Sequence, residues 1–293
     1  MGSSDDPAGK EKTMKKKLLT ILLAICMIMA MSMLAACGGS GGSGGSDSGG
    51  GTGTAEPQAD PAEKFAGTWK LAAAQSQGVY MAGDFAQLME LSDDGGSIDL
   101  TIDPAGTGVI NMGDESANFT WTMKSDDVIT ITPETETEEV GETADVTYRE
   151  DALWLGITQD DQTAYLIYTA DGIFPGAKDF NMADAAPITS KDDLIGKWTL
   201  SGMKMMGIAM YGSAEDLKNA MNGTDTYIEF KADGTTDMSG TAGTWEVTAD
   251  GATVTSNEAT GTYTYPVKKL GDDIAVDISE LMGGSEIIMV LSK

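Results

Sequence analysis

Apolar and polar residues alternate along most of the chain from residue 62 onward. Ile98-Asp-Leu100-Thr-Ile102-Asp and Phe119-Thr-Trp121-Thr-Met123-Lys keep period two, as do Ile228-Glu-Phe230-Lys and Trp245-Glu-Val247-Thr. Such alternation gives a strand one buried and one wet face, the pattern of antiparallel sheets. Asp233-Gly234, Asp250-Gly251, Gly271-Asp272 and Gly283-Gly284 punctuate the runs as turns. The spacing predicts about eight short strands in each of two units, as in sandwiches and barrels. The period changes after the first strand of each unit. Ser213 caps a helix there, Asp216 follows three residues on, and Leu217, Ala220 and Met221 share one face. In the first unit Asp84 can cap a turn carrying Phe85, Leu88 and Met89.

The two units are copies. Phe65-Ala-Gly67-Thr-Trp69-Lys-Leu71 aligns with Leu194-Ile-Gly196-Lys-Trp198-Thr-Leu200, 129 positions later, and Gly78-Val-Tyr-Met81 with Gly207-Ile-Ala-Met210 at the same spacing. Leu100, Ile102, Gly106 and Thr107 match Ile228, Phe230, Gly234 and Thr235 at 128; Thr120-Trp121 and Asp126 match Thr244-Trp245 and Asp250 at 124. The shrinking offset reads as small loop deletions in a duplicated unit. Repeats this long are whole domains rather than solenoid modules. The expected division is residues 62–178, a linker at 179–191 that holds Ala186-Pro187 and Thr189-Ser190, and residues 192–293.

Gly67-Thr-Trp69 and Gly196-Lys-Trp198, at the start of each first strand, resemble the Gly-x-Trp motif of lipocalins. Each unit is similar to the bacterial lipocalin-like domains found on lipoproteins. The resemblance implies two tandem antiparallel up-and-down β-barrels, each closed at one end by Trp69 or Trp198. With one short helix after each first strand, this all-β architecture is the expected fold.

Composition narrows the chemistry. Asp and Glu number 46 against 18 Lys and Arg, a formal charge of −28, which argues against a nucleic-acid partner. Histidine is absent, which removes the commonest general base and zinc ligand. The only cysteines, Cys26 and Cys37, precede both units, so no disulfide or thiolate site is expected within them. The acidic run Glu134, Glu136, Glu138, Glu139 and Glu142 reads as a solvated hairpin tip. Asp93-Asp94, Asp160-Asp161 and Asp272-Asp273 lack the spacing of a calcium loop. The expectation is no enzyme, no cofactor and no metal.

The N-terminal segment carries an address. Lys15, Lys16 and Lys17 precede an apolar run from Leu18 to Leu34, followed by small residues, the order of a secretory signal over residues 1–36 with Met14 as an alternative start. An uncleaved membrane helix is the competing reading, disfavoured by the small residues at the cleavage position. Leu34-Ala35-Ala36-Cys37 resembles the lipobox of bacterial lipoproteins. That resemblance implies lipidation of Cys37 and an extracytoplasmic, membrane-anchored protein at the cell surface or periplasmic face. Residues 37–61 are Gly/Ser-rich and read as a flexible tether.

Met203, Met205, Met206, Met210 and Tyr211, with Tyr80 and Met81 (and Val79) at the corresponding place in the first unit, form the one soft apolar cluster. It is expected to cross one end of a barrel as a lid. Methionine adapts to varied apolar ligands, although apolar residues beside a helix are more often packing. The expected function is binding of a small apolar or amphipathic ligand in a barrel, with these residues at the pocket mouth. The alternative is a filled-barrel surface module contacting a protein or glycan. Trp69, Trp121 and Trp154 are expected to fill the first unit, against Trp198 and Trp245 alone in the second, which makes the second unit the better ligand candidate. Substitution C37A is expected to abolish incorporation of labelled fatty acid and to release the chain from the membrane fraction.

Overall fold

The computed structural model describes residues 61–85, 98–113, 115–134, 143–159, 162–221, 223–248, 251–258 and 261–293. The expected signal segment, Cys37, the tether to residue 60, Leu88, Met89, Asp93-Asp94, Asp160-Asp161 and the glutamates from 136 to 142 lie outside these residues. In chain order the first half holds β1 (Gly67–Ser76), β2 (Val79–Gly83), β3 (Ile98–Asp103), β4 (Thr107–Met112), β5 (Glu115–Ser125), β6 (Val128–Pro133), β7 (Ala144–Arg149), β8 (Ala152–Gln159) and β9 (Gln162–Thr169). The second holds β10 (Ala186–Pro187), β11 (Gly196–Met205), β12 (Ile208–Tyr211), α1 (Ala214–Ala220), β13 (Tyr227–Phe230), β14 (Thr235–Met238), β15 (Thr241–Thr248), β16 (Gly251–Glu258), β17 (Gly261–Leu270), β18 (Asp273–Asp277) and β19 (Ile287–Ser292).

The fold is all-β and contains an eight-stranded antiparallel barrel. β1 pairs with β3, each later strand pairs with the next through β9, and β9 returns to β1. In the second half β11 pairs with β13, the ladder runs on through β19, and β19 returns to β11. Period-two patterning decides which side chains enter: Ile98, Leu100 and Ile102 of β3 are buried, while Asp99 and Thr101 are not. The expected helix of the second unit forms at α1, with the Ser213 hydroxyl accepting from the Asp216 amide and Leu217 buried beneath it. In the first unit Phe85 is buried at the corresponding place.

Large aromatics from the strands pack the core of each half. In the first these include Trp69, Trp121, Phe119 and Tyr168; in the second Trp198, Trp245, Phe230 and Tyr265. Two of the four exchange positions. Phe119 lies over Gly108, where a Cβ would come within 2.1 Å of its ring. The position matching Phe119 at an offset of 124 is Gly243, and Phe230 enters instead from the strand where the first half has Ile102. Similarly Tyr168 gives way to Leu291 and Tyr265 enters, as the shared register of β8–β9 and β18–β19 shows. Ring volume is redistributed and kept, as close packing demands.

The indoles are held identically in the two halves. Trp69 Nε1 donates to the Phe65 carbonyl at 2.9 Å and Trp198 Nε1 to the Leu194 carbonyl at 2.7 Å. Trp121 Nε1 donates to Asp103 O and Trp245 Nε1 to Lys231 O, both at 2.9 Å. A buried indole N–H needs such a partner. Trp154 is placed differently from the expectation that it fills the first unit. Leu153 and Leu155 face inward, so their neighbour Trp154 faces out, packed with Ala73, Ala82, Phe180, Ala209 and Tyr211. With two lumen tryptophans in each half, the asymmetry that favoured the second unit disappears.

W69A and W198A are each expected to lower unfolding free energy by about 3–5 kcal/mol in urea titrations. The exposed T120A should change it by less than about 0.5 kcal/mol.

Candidate functional site

The nominated residues gather where the two halves meet. β1 and β11 each carry a bulge at the same place: the register with β9 slips between Leu71 and Ala73, and that with β19 between Leu200 and Gly202. Along one edge the first strand stays paired with β9 or β19. Along the other it pairs with β3 or β13 before the bulge and with its hairpin partner, β2 or β12, beyond it. Both hairpins turn through two positive-φ residues, Gln77-Gly78 and Met206-Gly207, the twist that suits a tight hairpin. β2 and β12 then pair antiparallel with each other, Tyr80 opposite Tyr211 and Met81 opposite Met210. One sheet, β8-β9-β1-β2-β12-β11-β19-β18, thus runs through both halves. The lid expected from Met203 to Tyr211 is instead this β-hairpin, because a two-residue turn after a long strand folds the chain back onto its own edge.

Side chains alternate across this sheet. On one face a cross-strand row runs Leu166, Ala74, Met81, Met210, Met203, Met289. On the other face Tyr80 stacks on Tyr211, with ring centroids 5.8 Å apart. The structure therefore brings Met81, Met203, Met210, Tyr80 and Tyr211 together, on two opposite faces. Met205 and Met206 stand apart at the hairpin tip, 39% and 53% exposed, too open to line a pocket.

The residues between β9 and β11 cross the tyrosine face as a strap. Phe174 stacks on Tyr80 at 5.6 Å and meets Trp154 edge-on, while Phe180 meets Tyr211 edge-on. Phe180 reaches the sheet through Gly202, where a Cβ would lie 2.4 Å from its ring. Lys204 anchors the same crossing between Asp179 at 3.7 Å and Glu286 at 3.9 Å. Arg149, the chain's single arginine, sets its guanidinium carbon 3.5 Å from the centre of the Trp154 ring. Sequence does not point to Phe174 or Phe180, and it places Trp154 inside the first unit instead of at this face. The available signal was the uninterrupted apolar run Ala152-Leu153-Trp154-Leu155, which marks a strand buried on both faces.

Electrostatics at the seam are those of a dry contact. Burial, with a smaller contribution from the Tyr80 phenol, pushes the Tyr211 hydroxyl up to about 12. That hydroxyl and Trp154 Nε1 have no hydrogen-bond partner among the described residues. Among the same residues no group of three or more acidic side chains is placed to hold a metal ion, and no helix is long and apolar enough to cross a membrane. Elsewhere Asp273 accepts from Ser292 Oγ at 2.6 Å, which ties β18 to β19. Glu134 is exposed at the end of β6. No protein-family model matches the chain, and a search of curated proteins returns no significant relative.

The folded state holds the Tyr211 proton more tightly than the unfolded chain does. Its contribution is fully present below the ordinary phenol value of 10.0 and is lost as pH rises through about 12. Denaturation midpoints should therefore fall across this interval, and less steeply in Y211F, as followed by tyrosine absorbance and circular dichroism.

Proposed function

We propose that this protein is a membrane-anchored extracytoplasmic lipoprotein whose two tandem lipocalin-like barrels form a rigid interaction module for a surface protein or glycan. The observation that carries the choice is the state of the lumens. Leu100, Ile129, Val146 and Leu153 in the first ring and Val254, Val267, Val276 and Leu291 in the second are 0% exposed. Side chains lining an open chamber would keep solvent-accessible surface, and these eight keep none. That supports the self-filled case open to an eight-stranded barrel. Ile110, Ala144 and Ile157 of the first half, and Met238, Val247 and Tyr263 of the second, are partly buried and pack against these cores.

The residues nominated for a pocket mouth also support this reading. Met81, Met210, Tyr80 and Tyr211 lie at the contact between halves, and Met205 and Met206 stand open to solvent. The Trp69 and Trp198 plugs, each bonded to the turn before its first strand, agree with the lipocalin-like resemblance. The lipobox-like Leu34-Ala35-Ala36-Cys37 and the Gly/Ser tether supply the anchoring. The role of the barrels is then to hold their outer faces and connecting loops rigid at the end of that tether, with no covalent chemistry.

Native mass spectrometry of residues 62–293, purified from lipid-rich cells, should give the mass of the polypeptide alone, unchanged on adding fatty acids or lysolipids. A stoichiometric small molecule that is lost in M210K would overturn the filled-barrel module and restore ligand binding.

A further inference from the structure

The contact between the halves has the symmetry of a homodimer. Along this stretch the halves correspond at a spacing of 129 residues, so Met210 is the counterpart of Met81. These two residues face each other across the seam. The neighbouring pairs are disposed evenly about them: Ile208, counterpart of Val79, faces Gly83, and Tyr211 faces Tyr80. The bulges that release the two hairpins fall at Ala72 and Ser201, again counterparts.

Close contacts are exchanged in the same way. A Cβ on Gly83 would lie 2.5 Å from the Gly207 carbonyl oxygen, and one on Gly212 would lie 3.0 Å from the Gly78 carbonyl oxygen. Gly212 is the counterpart of Gly83, and Gly207 of Gly78. Apolar insertion is also reciprocal. Ile208 of the second half is buried in the core of the first, and Val79 of the first packs with Leu200 and Leu217 of the second. Contacts in which i meets j while the counterpart of j meets the counterpart of i define an isologous interface.

We propose that the seam is a fused two-fold dimer interface, and that the second half can pair through β12 with a second copy of itself. The substitutions this entails are small. Ile208 would replace Val79 against Leu200 and Leu217, one methylene larger. Gly207 would replace Gly78 beside the Asp216 carboxylate, where a Cβ on Gly78 would lie 2.6 Å from Oδ2 and where glycine is again supplied. Gly212 would replace Gly83, and the Tyr80–Tyr211 and Ala82–Ala209 pairs would become two Ala209–Tyr211 pairs. Charge favours the same half. Residues 62–178 carry 22 acidic against 5 basic side chains, a net of −17, and residues 179–293 carry 18 against 8, a net of −10. Two second halves therefore repel less than the joined pair does, and salt weakens what repulsion remains.

The two-fold axis makes a specific demand. In a self-paired second half only the residue on the axis, Met210, faces its own copy, at a Cα separation of about 4.5–5.5 Å that a disulfide can span. The test uses the chain from residue 38, which contains no cysteine. It carries a protease site in place of the exposed residues 175–178 together with either M210C or A209C. After cleavage, mild oxidation at high salt should yield disulfide-linked dimers of residues 179–293 from M210C, at least about tenfold more than from A209C, whose partner would be Tyr211. Equal yields from the two variants, or none from M210C, would overturn the proposal. So would loss of the β circular-dichroism signal from second halves separated after cleavage, since a self-pairing half keeps its fold. The uncut M81C/M210C chain should close an internal disulfide. Failure to do so would remove the register on which the proposal stands.

Discussion

A strand that leaves a closed ring must find a partner for its outer edge. β2 and β12 pair with β1 and β11 on one side, and each would otherwise present a row of unmet N–H and C=O groups on the other. Such edges attract other chains, and proteins cover or pair them. Here each edge covers the other. Much else follows from this pairing. The bulges at Ala72 and Ser201 turn the first strands outward. The seam glycines let two hairpins approach at backbone distance, and the strap lays Phe174 and Phe180 over the joined face.

The hairpins can be committed to each other because the rings do not need them. The ladder of each half closes on eight other strand pairings, and large aromatics stabilise its own core. Burying a side chain of that size contributes on the order of 1.5–3 kcal/mol. The exchange of Phe119 for Gly243 and of Ile102 for Phe230 shows that the two copies have diverged in position while keeping interior volume. Divergence of this kind is tolerated when total volume and patterning are retained. The Trp anchors did not diverge, since each indole N–H is tied to a main-chain carbonyl whose place is set by the fold.

The strands and α1 were legible in the sequence because each rests on local periodicity or a local cap. Ile98–Asp103 shows its buried face by alternation, and Ser213 with Asp216 forms a complete N-cap. The seam was less legible. Met203, Met210, Tyr80 and Tyr211 were singled out as apolar and close together, but proximity in sequence does not reveal whether an apolar segment closes over a ligand or meets another domain. The discriminating signal lay elsewhere, in runs that fail to alternate: Ala72-Ala73-Ala74, Leu166-Ile167-Tyr168, Ile274-Ala275-Val276 and Ile287 to Leu291. All belong to strands of the sheet that spans both halves. Trp154 lies in a run of the same kind, and period two within that run puts it outside the ring.

Fusion changes what the seam must do. As separate chains, two halves of net −17 and −10 would have to meet against their own repulsion at whatever concentration the cell supplied. A continuous chain makes the encounter intramolecular, with an effective concentration in the millimolar range for a short connection. The connection here does more than shorten the search. Phe174 docks on a tyrosine of the first half and Phe180 on one of the second, so the strap distinguishes the joined arrangement from any other pairing of the same edges. It also breaks the two-fold symmetry, because Tyr80 and Tyr211 lie under it where the symmetric positions are Ala209 and Ala82. The seam is self-complementary in its backbone and specific in its aromatic cover. That combination lets a duplicated domain keep an inherited interface while reserving it for its own second copy.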